Sequence, residues 1–187
     1  MNTDEFFDQV RASFGRLSQL QVDGFNAVLA ATDAEPLAYR SYELATAWHE
    51  TNGTMQPVRE AYWLSEAWRK ANLRYYPWYG RGLVQLTWEP NYAKADAEAA
   101  KAGLIESGQL LADPDLAMRP DIAGFVLRRG MDEGWFSTKK LADYLPADAI
   151  ASIGQFTSAR AIINGTDRAL MVAGYALNFQ RALGAAA

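Results

Sequence analysis

The stretch Trp48-His49-Glu50-Thr51-Asn52-Gly53-Thr54-Met55-Gln56-Pro57-Val58-Arg59-Glu60 leads on to Tyr75-Tyr76-Pro77-Trp78-Tyr79-Gly80-Arg81-Gly82-Leu83-Val84-Gln85-Leu86-Thr87 and then to Asn91-Tyr92. A helical pattern stops inside it and resumes only at Pro90. Before the break, Pro36 can open a helix that carries Leu37, Leu44, Ala45 and Trp48 on one stripe, with Asn52-Gly53 as its stop. After the break, residues 55–58 and 83–86 are short apolar runs bounded by glycine and proline, the pattern of a small β-hairpin or irregular lobe. On the N-terminal side, Phe6, Phe7, Val10 and Phe14 share a helical face before Gly15. Ser18 to Gln21 reads as a capping box opening a helix with Val22, Phe25, Val28 and Leu29 inward. On the C-terminal side, helices are expected over residues 90–102, 120–132, 138–145, 159–163 and 167–183, the last capped by Asp167. The fold class is mainly α, with one small non-helical lobe.

Composition narrows the function. At 187 residues the chain suits one globular domain, residues 1–187, with no linker, repeat or separate cell-wall-binding module. Hydrophobic residues at 50% and charged residues at 21% fit a folded protein rather than a disordered one. A formal charge of -4 and no dense basic tract argue against a nucleic-acid partner. The absence of cysteine removes disulfides, thiolate metal sites and cysteine nucleophiles together. His49-Glu50 lacks the second histidine four residues on, where Gly53 stands, so the helical zinc-protease motif fails and no metal is expected. The acidic start, Met1 to Phe7, has no basic-then-apolar signal, and no apolar run reaches the ~18 residues needed to span a bilayer. A chain made in the cytoplasm is therefore expected.

Two carboxylates ten positions apart, Glu50 and Glu60, flank the turn at the break. Glu50 falls in the last turn of its helix, where the dipole disfavours negative charge, and the neighbouring Trp48 adds apolar surroundings; both would favour a held proton and a general acid. The plainer alternative is a surface glutamate at a fraying helix end. Glu60 could face Glu50 across a cleft at the ~6.5–9.5 Å that an inverting glycosidase uses, or could simply pair with Arg59, Arg69 or Arg74. Glu66, Glu89 and Glu98 rank below them. Six tryptophans and nine tyrosines, with Trp63, Trp68, Tyr75, Tyr76, Trp78 and Tyr79 crowded together, offer apolar faces for pyranose rings as well as a core for the small lobe. Gly80 and Gly82 imply close backbone approach. Gln85 and Thr87 are expected on one side of a strand, with Asn91 at the next helix start, a trio able to hold an N-acetyl group and a water. Arg160 to Gly165 ends an apolar segment in Asn164-Gly165, equally readable as a helix cap and as a binding element.

At these residues the sequence resembles glycoside hydrolase family 19, the chitinase-like hydrolases, and especially the bacteriophage endolysin branch. The resemblance rests on His49-Glu50-Thr51, Glu60, Gly80-Arg81-Gly82, Gln85-Leu86-Thr87, Asn91-Tyr92 and Ile162-Ile163-Asn164-Gly165, in order and at similar spacing. It implies a lysozyme-like, two-lobed helical domain without a metal or other cofactor, and hydrolysis with inversion. Glu50 would be the acid, Glu60 the base, and Thr87, where the family often has serine, would help hold the water. His49, Gln85, Asn91 and Asn164 would orient substrate, with Arg160 and Tyr79 as further candidates. The disulfides and extra loops of plant-type members are missing, and Thr166 stands where many members have a second glycine. The expected function is an endolysin cutting the β-1,4 bond between N-acetylmuramic acid and N-acetylglucosamine of peptidoglycan, as a monomer released to the wall by a holin-like factor. A chitinase, a lytic transglycosylase and a non-catalytic glycan-binding protein are the rivals.

Overall fold

The computed structural model describes residues 1–187. Its helices are α1 (Thr3–Phe14), α2 (Gln19–Ala31), α3 (Leu37–Glu50), α4 (Glu66–Asn72), α5 (Glu89–Lys101), α6 (Gln109–Ala112), α7 (Pro120–Glu133), α8 (Ile153–Ala159) and α9 (Ala169–Ala185). A two-stranded antiparallel pair, β1 (Val58–Arg59) and β2 (Arg81–Gly82), is the only sheet. The domain is thus mainly α with a small β element, as the periodicity implies. No helix is long and apolar enough to cross a membrane.

Local signals explain several of the helix ends. Asn2 and Ser18 accept backbone N–H bonds at the starts of α1 and α2, and Ser18 with Gln21 completes the expected capping box. Gly134, in the left-handed conformation, closes α7. The central helix is α3. Residues 41–47 are buried without interruption, so α3 has no solvent face over two turns and runs through the core. Its alanines let α9 lie close along it, and Trp48 inserts among Phe14, Phe25 and Phe179 with ring centroids 4.8–6.4 Å away. A core helix that runs outward from this packing delivers its last residue, Glu50, to the surface.

Five expectations are corrected. The stretch before Pro90 is not free of helix: α4 forms over Glu66–Asn72, with the Ser65 side chain accepting from the Trp68 N–H. Residues 138–145 make no α-helix but only a 3-10 turn over Leu141–Asp143; Thr138, at φ 66°, is outside the helical region and Lys140 is extended. The helix expected over 159–163 instead starts at Ile153, capped by Ser152 and Gln155, and tightens to a 3-10 turn over Arg160–Ile162. Asp167 does not cap α9; Arg168 stands at the N-cap position, at φ 52°, with no side-chain capping bond. The strands form at Val58–Arg59 and Arg81–Gly82, with Val58 opposite Gly82, and α4 lies between them, so the pair is not a tight hairpin. The apolar run 83–86 turns back on itself through the Arg81–Leu86 bridge.

One core feature opposes stability. Glu43 on α3 is 0% exposed, and neither carboxylate oxygen has a hydrogen-bond partner. Burial pushes its proton affinity well above the ordinary 4.5, with Asp132 and Glu35 adding to this and Arg128 and Arg40 acting against it. Asp132 is also raised, to about 6, first by burial and then by Glu35. For both groups the folded value exceeds the unfolded one, so their stabilising contribution is complete below about pH 4 and is lost as pH rises. Glu43→Leu is expected to stabilise the protein by about 1–3 kcal/mol at neutral pH, the cost of a buried polar group left unpaired. Thermal melts across pH should show the gain growing from acid to neutral pH, and a variant that melts lower than the parent at pH 7 would contradict it.

Candidate active site

The last residue of α3, the end of β1 and the turn after β2 converge on one open cleft of about 360 Å³. Glu50, Asn52, Arg59, Glu60, Trp63 and Gln85 are among the residues that line it. The two glutamates singled out from the sequence therefore reach the same space from different elements. Through Asn52 and Val58 the cleft adjoins a groove of about 370 Å³ alongside Ser18, Gln21 and Gln56. The combined space suits an extended ligand rather than a single small molecule.

Each carboxylate has its own donors. Arg160, 1% exposed, donates from Nη1 to Oε1 of Glu50 at 2.9 Å and from Nε to the carbonyl of Asp167 at 2.9 Å. No protein donor occupies Oε2 of Glu50. The guanidinium was not foreseen in this position, where it lies beside the C-terminal end of α3 and fixes the Glu50 side chain. Trp48 faces the core rather than the cleft, so it does not supply the apolar wall expected around Glu50. Behind the pair, Tyr42 is 0% exposed, and burial pushes its phenol up, so it stays protonated.

Glu60 pairs with none of Arg59, Arg69 and Arg74. Its Oε1 accepts from the Tyr75 hydroxyl at 2.6 Å and its Oε2 from the backbone N–H of Gly80 at 3.0 Å. Its own N–H donates to the Gly80 carbonyl at 2.7 Å, which extends the strand pairing by one residue. Burial first, and then the bond to Glu60, push Tyr75 up to about 12, so it remains a donor. Two donors fix the orientation of the side chain, as a general base requires.

The polar trio is held by backbone carbonyls. Gln85 donates from Nε2 to the carbonyl of Val58 at 3.1 Å, Thr87 from Oγ1 to that of Gln85 at 2.7 Å, and Asn91 from Nδ2 to that of Thr87 at 2.9 Å. Gln85 lies in a turn at φ 57°, not on a strand, so it and Thr87 do not share a strand face. A Cβ on Gly80 would stand 2.6 Å from Oε1 and 3.2 Å from Cβ of Gln85, so the Gln85 side chain would have to shift. Gly82, at φ 88°, would bring a Cβ to 3.1 Å from the carbonyl of Ala117. The expectation of close backbone approach at both glycines is met.

The other candidates spread more widely. His49 is half-buried beside Glu50, and burial holds its imidazole below 6.5, with Glu50 acting the other way. Asn164 is exposed after the 3-10 turn that carries Arg160, and its backbone N–H donates to the Arg160 carbonyl at 3.0 Å. Tyr79 is 1% exposed, with its hydroxyl on Glu66 at 2.9 Å and the Arg81 guanidinium 3.6 Å from its ring centroid, so it lies beneath the cleft wall rather than on it. Arg59 and Arg81 both bind Asp115, at 2.8 and 2.7 Å, and tie the small lobe to the segment before α7. No three histidine, aspartate or glutamate side chains come together as a metal-ligand set. Tyr75 and the Gly80 amide, which hold Glu60, lie 15 and 20 residues from it and carry no local sequence signal.

The mainly helical body with its one small two-stranded element has a chitinase-like fold. The structure is similar to chitinase C from Streptomyces griseus HUT6037, with a TM-score of 0.51 and 20% sequence identity, over 95% of this chain and 75% of that one. No protein-family model matches the sequence, and no curated protein matches it.

Proposed function

We propose that this chain is a glycoside hydrolase of the bacteriophage endolysin kind, cleaving the β-1,4 bond between N-acetylmuramic acid and N-acetylglucosamine in peptidoglycan with inversion. The observation that carries the reading is the pair Glu50 and Glu60, lining one open cleft from two elements and each held by separate donors. Glu50 gives a proton to the glycosidic oxygen as the bond from that oxygen to the anomeric carbon breaks. Arg160 then stabilises the carboxylate left behind. Glu60 takes a proton from a water whose oxygen bonds to the anomeric carbon from the opposite face. The Thr87 hydroxyl, its hydrogen committed to Gln85, keeps lone pairs with which to accept from that water. His49, Gln85, Asn91 and Asn164 orient the sugar, while Tyr79 acts from below by packing against Arg81. The protein works as a monomer with no cofactor and no nucleic-acid partner. It is made in the host cytoplasm and reaches the wall through a holin-like membrane lesion.

The similarity to a chitinase favours a second reading, hydrolysis of N-acetylglucosamine polymers. Mass spectrometry of digests of purified peptidoglycan and of chitin oligomers separates the two. New reducing N-acetylmuramic acid ends are expected; cleaved chitin beside intact peptidoglycan would replace the first reading with the second. Glu60→Gln is expected to lower hydrolysis by at least about a hundredfold, since the water loses its base. A lytic transglycosylase needs only one acid, so full activity in this variant with anhydromuramic products would point there instead.

A further inference from the structure

We infer that Tyr62 and Trp63 form a stacking platform for a sugar ring at the rim of the cleft beside Glu60; this rests on the glycan-hydrolase reading above. Trp63 is 72% exposed and Tyr62 62%, more than Trp88 at 44% and Trp68 at 38%, while Tyr79 and Tyr92 are buried. Both line the same cleft as Glu50 and Glu60. Two adjoining exposed aromatic side chains form a contiguous apolar patch in the cleft that holds both carboxylates, the kind of surface that marks a ligand groove.

The backbone is shaped to present them. Ala61, the residue after Glu60, has φ 49°, and the Leu64 N–H donates to its carbonyl at 2.9 Å, so Tyr62 and Trp63 occupy the two central positions of a tight turn. A non-glycine residue held at positive φ is strained, and seven occur in the chain. Three of them, Asn52, Ala61 and Gln85, line this cleft, which concentrates the strain where a ligand would bind. Tyr62 meets Trp63 edge to face, with centroids 5.2 Å apart and an interplanar angle of 83°. Such contact braces the pair and covers at most one face of the indole. In the same cleft, Asn52, Arg59, Glu60 and Gln85 supply donors and acceptors. An apolar plane bordered by hydrogen-bonding groups matches a pyranose ring, which has carbon-bound hydrogens on its face and hydroxyl or acetamido groups around its edge. The class of ligand is a β-linked N-acetylhexosamine chain.

The test uses the full chain carrying Glu50→Gln, so that binding is read without turnover. Isothermal titration and tryptophan fluorescence are followed with an N-acetylglucosamine tetramer and with a peptide-free peptidoglycan glycan fragment. Adding Trp63→Ala is expected to weaken binding of at least one probe by about tenfold or more, while Trp63→Phe keeps most of it. The melting temperature should stay at the parent's value, because the side chain is exposed. Binding by the parent that Trp63→Ala leaves unchanged overturns the platform and leaves the glycan reading standing. A parent that binds neither probe and an unsubstituted chain that cleaves neither polymer overturn the glycan reading and the platform together.

Discussion

Replacing Glu50 by glutamine is expected to abolish glycan hydrolysis to within detection, a loss of about 10²–10⁴-fold, with the fold intact. The substitution is nearly isosteric, and the glutamine oxygen can still accept from Nη1 of Arg160, so the 2.9 Å bond has a successor. What is lost is the ability to hand a proton to the leaving oxygen. Assaying new reducing ends on peptidoglycan, alongside a melting curve, separates lost chemistry from lost structure. Unchanged activity in this variant would remove Glu50 from the reaction and with it the two-carboxylate mechanism. If the parent binds glycan without cleaving it, the protein is instead a binder that kept the cleft.

The second large effect is expected at Arg160. Its guanidinium, 1% exposed, joins the catalytic candidate Glu50 to the carbonyl of Asp167, and the Glu50 side chain is 18% exposed. Arg160→Met deletes the charge while keeping most of the volume. Glu50 is then left facing an apolar side chain, which for a buried pair costs about 3–5 kcal/mol; the partial access of Glu50 to cleft water puts the expected loss at the low end of that range. Activity is expected to fall as well, because the carboxylate formed on proton release loses its stabilising partner. Arg160→Lys restores the charge but cannot make both bonds in the same planar geometry, so it should recover stability in part and activity less. Thermal melts and kcat/KM on one substrate measure both effects. A Met variant with the parent's melting point and rate would show that the ion pair does nothing.

Arg160 also shows where reading the sequence stops. It stands near Asn164-Gly165, a segment the residues leave open between helix cap and binding element, and family resemblance makes it a candidate for substrate contact. In the structure its guanidinium faces inward to Glu50, 110 residues earlier in the chain. Glu60 follows the same logic: three nearby arginines are reasonable partners by spacing, yet a tyrosine hydroxyl and a glycine amide hold it. The aromatic crowd from Trp63 to Tyr79 divides in a way that composition does not reveal, with Tyr79 under the wall and Trp63 on the rim. By contrast, some errors had a local remedy. Ser152 and Gln155 form a capping box that marks the true start of α8, and Ser65 caps α4 by accepting from the N–H of Trp68.

By itself the sequence determined what depends on neighbours along the chain. The capping box at Ser18, the stops at Gly15 and after Glu50, and the loss of helical periodicity after Gly53 follow from hydrogen bonds and dihedral preferences that span a few residues. Those signals also put one glutamate at a helix end and another just past a turn, and the chain's composition left few chemistries for them. Tertiary structure decided which distant groups meet: that α3 is buried through its middle and emerges at the cleft, that β1 pairs with β2 across α4, and that Arg160 holds Glu50. It also buried Glu43 without a partner, on the same helix that exposes Glu50. The division has a physical cause. Local bonds form between groups whose separation the backbone already fixes, whereas long-range partners are chosen by how whole helices pack, and one residue's spacing carries almost no information about that.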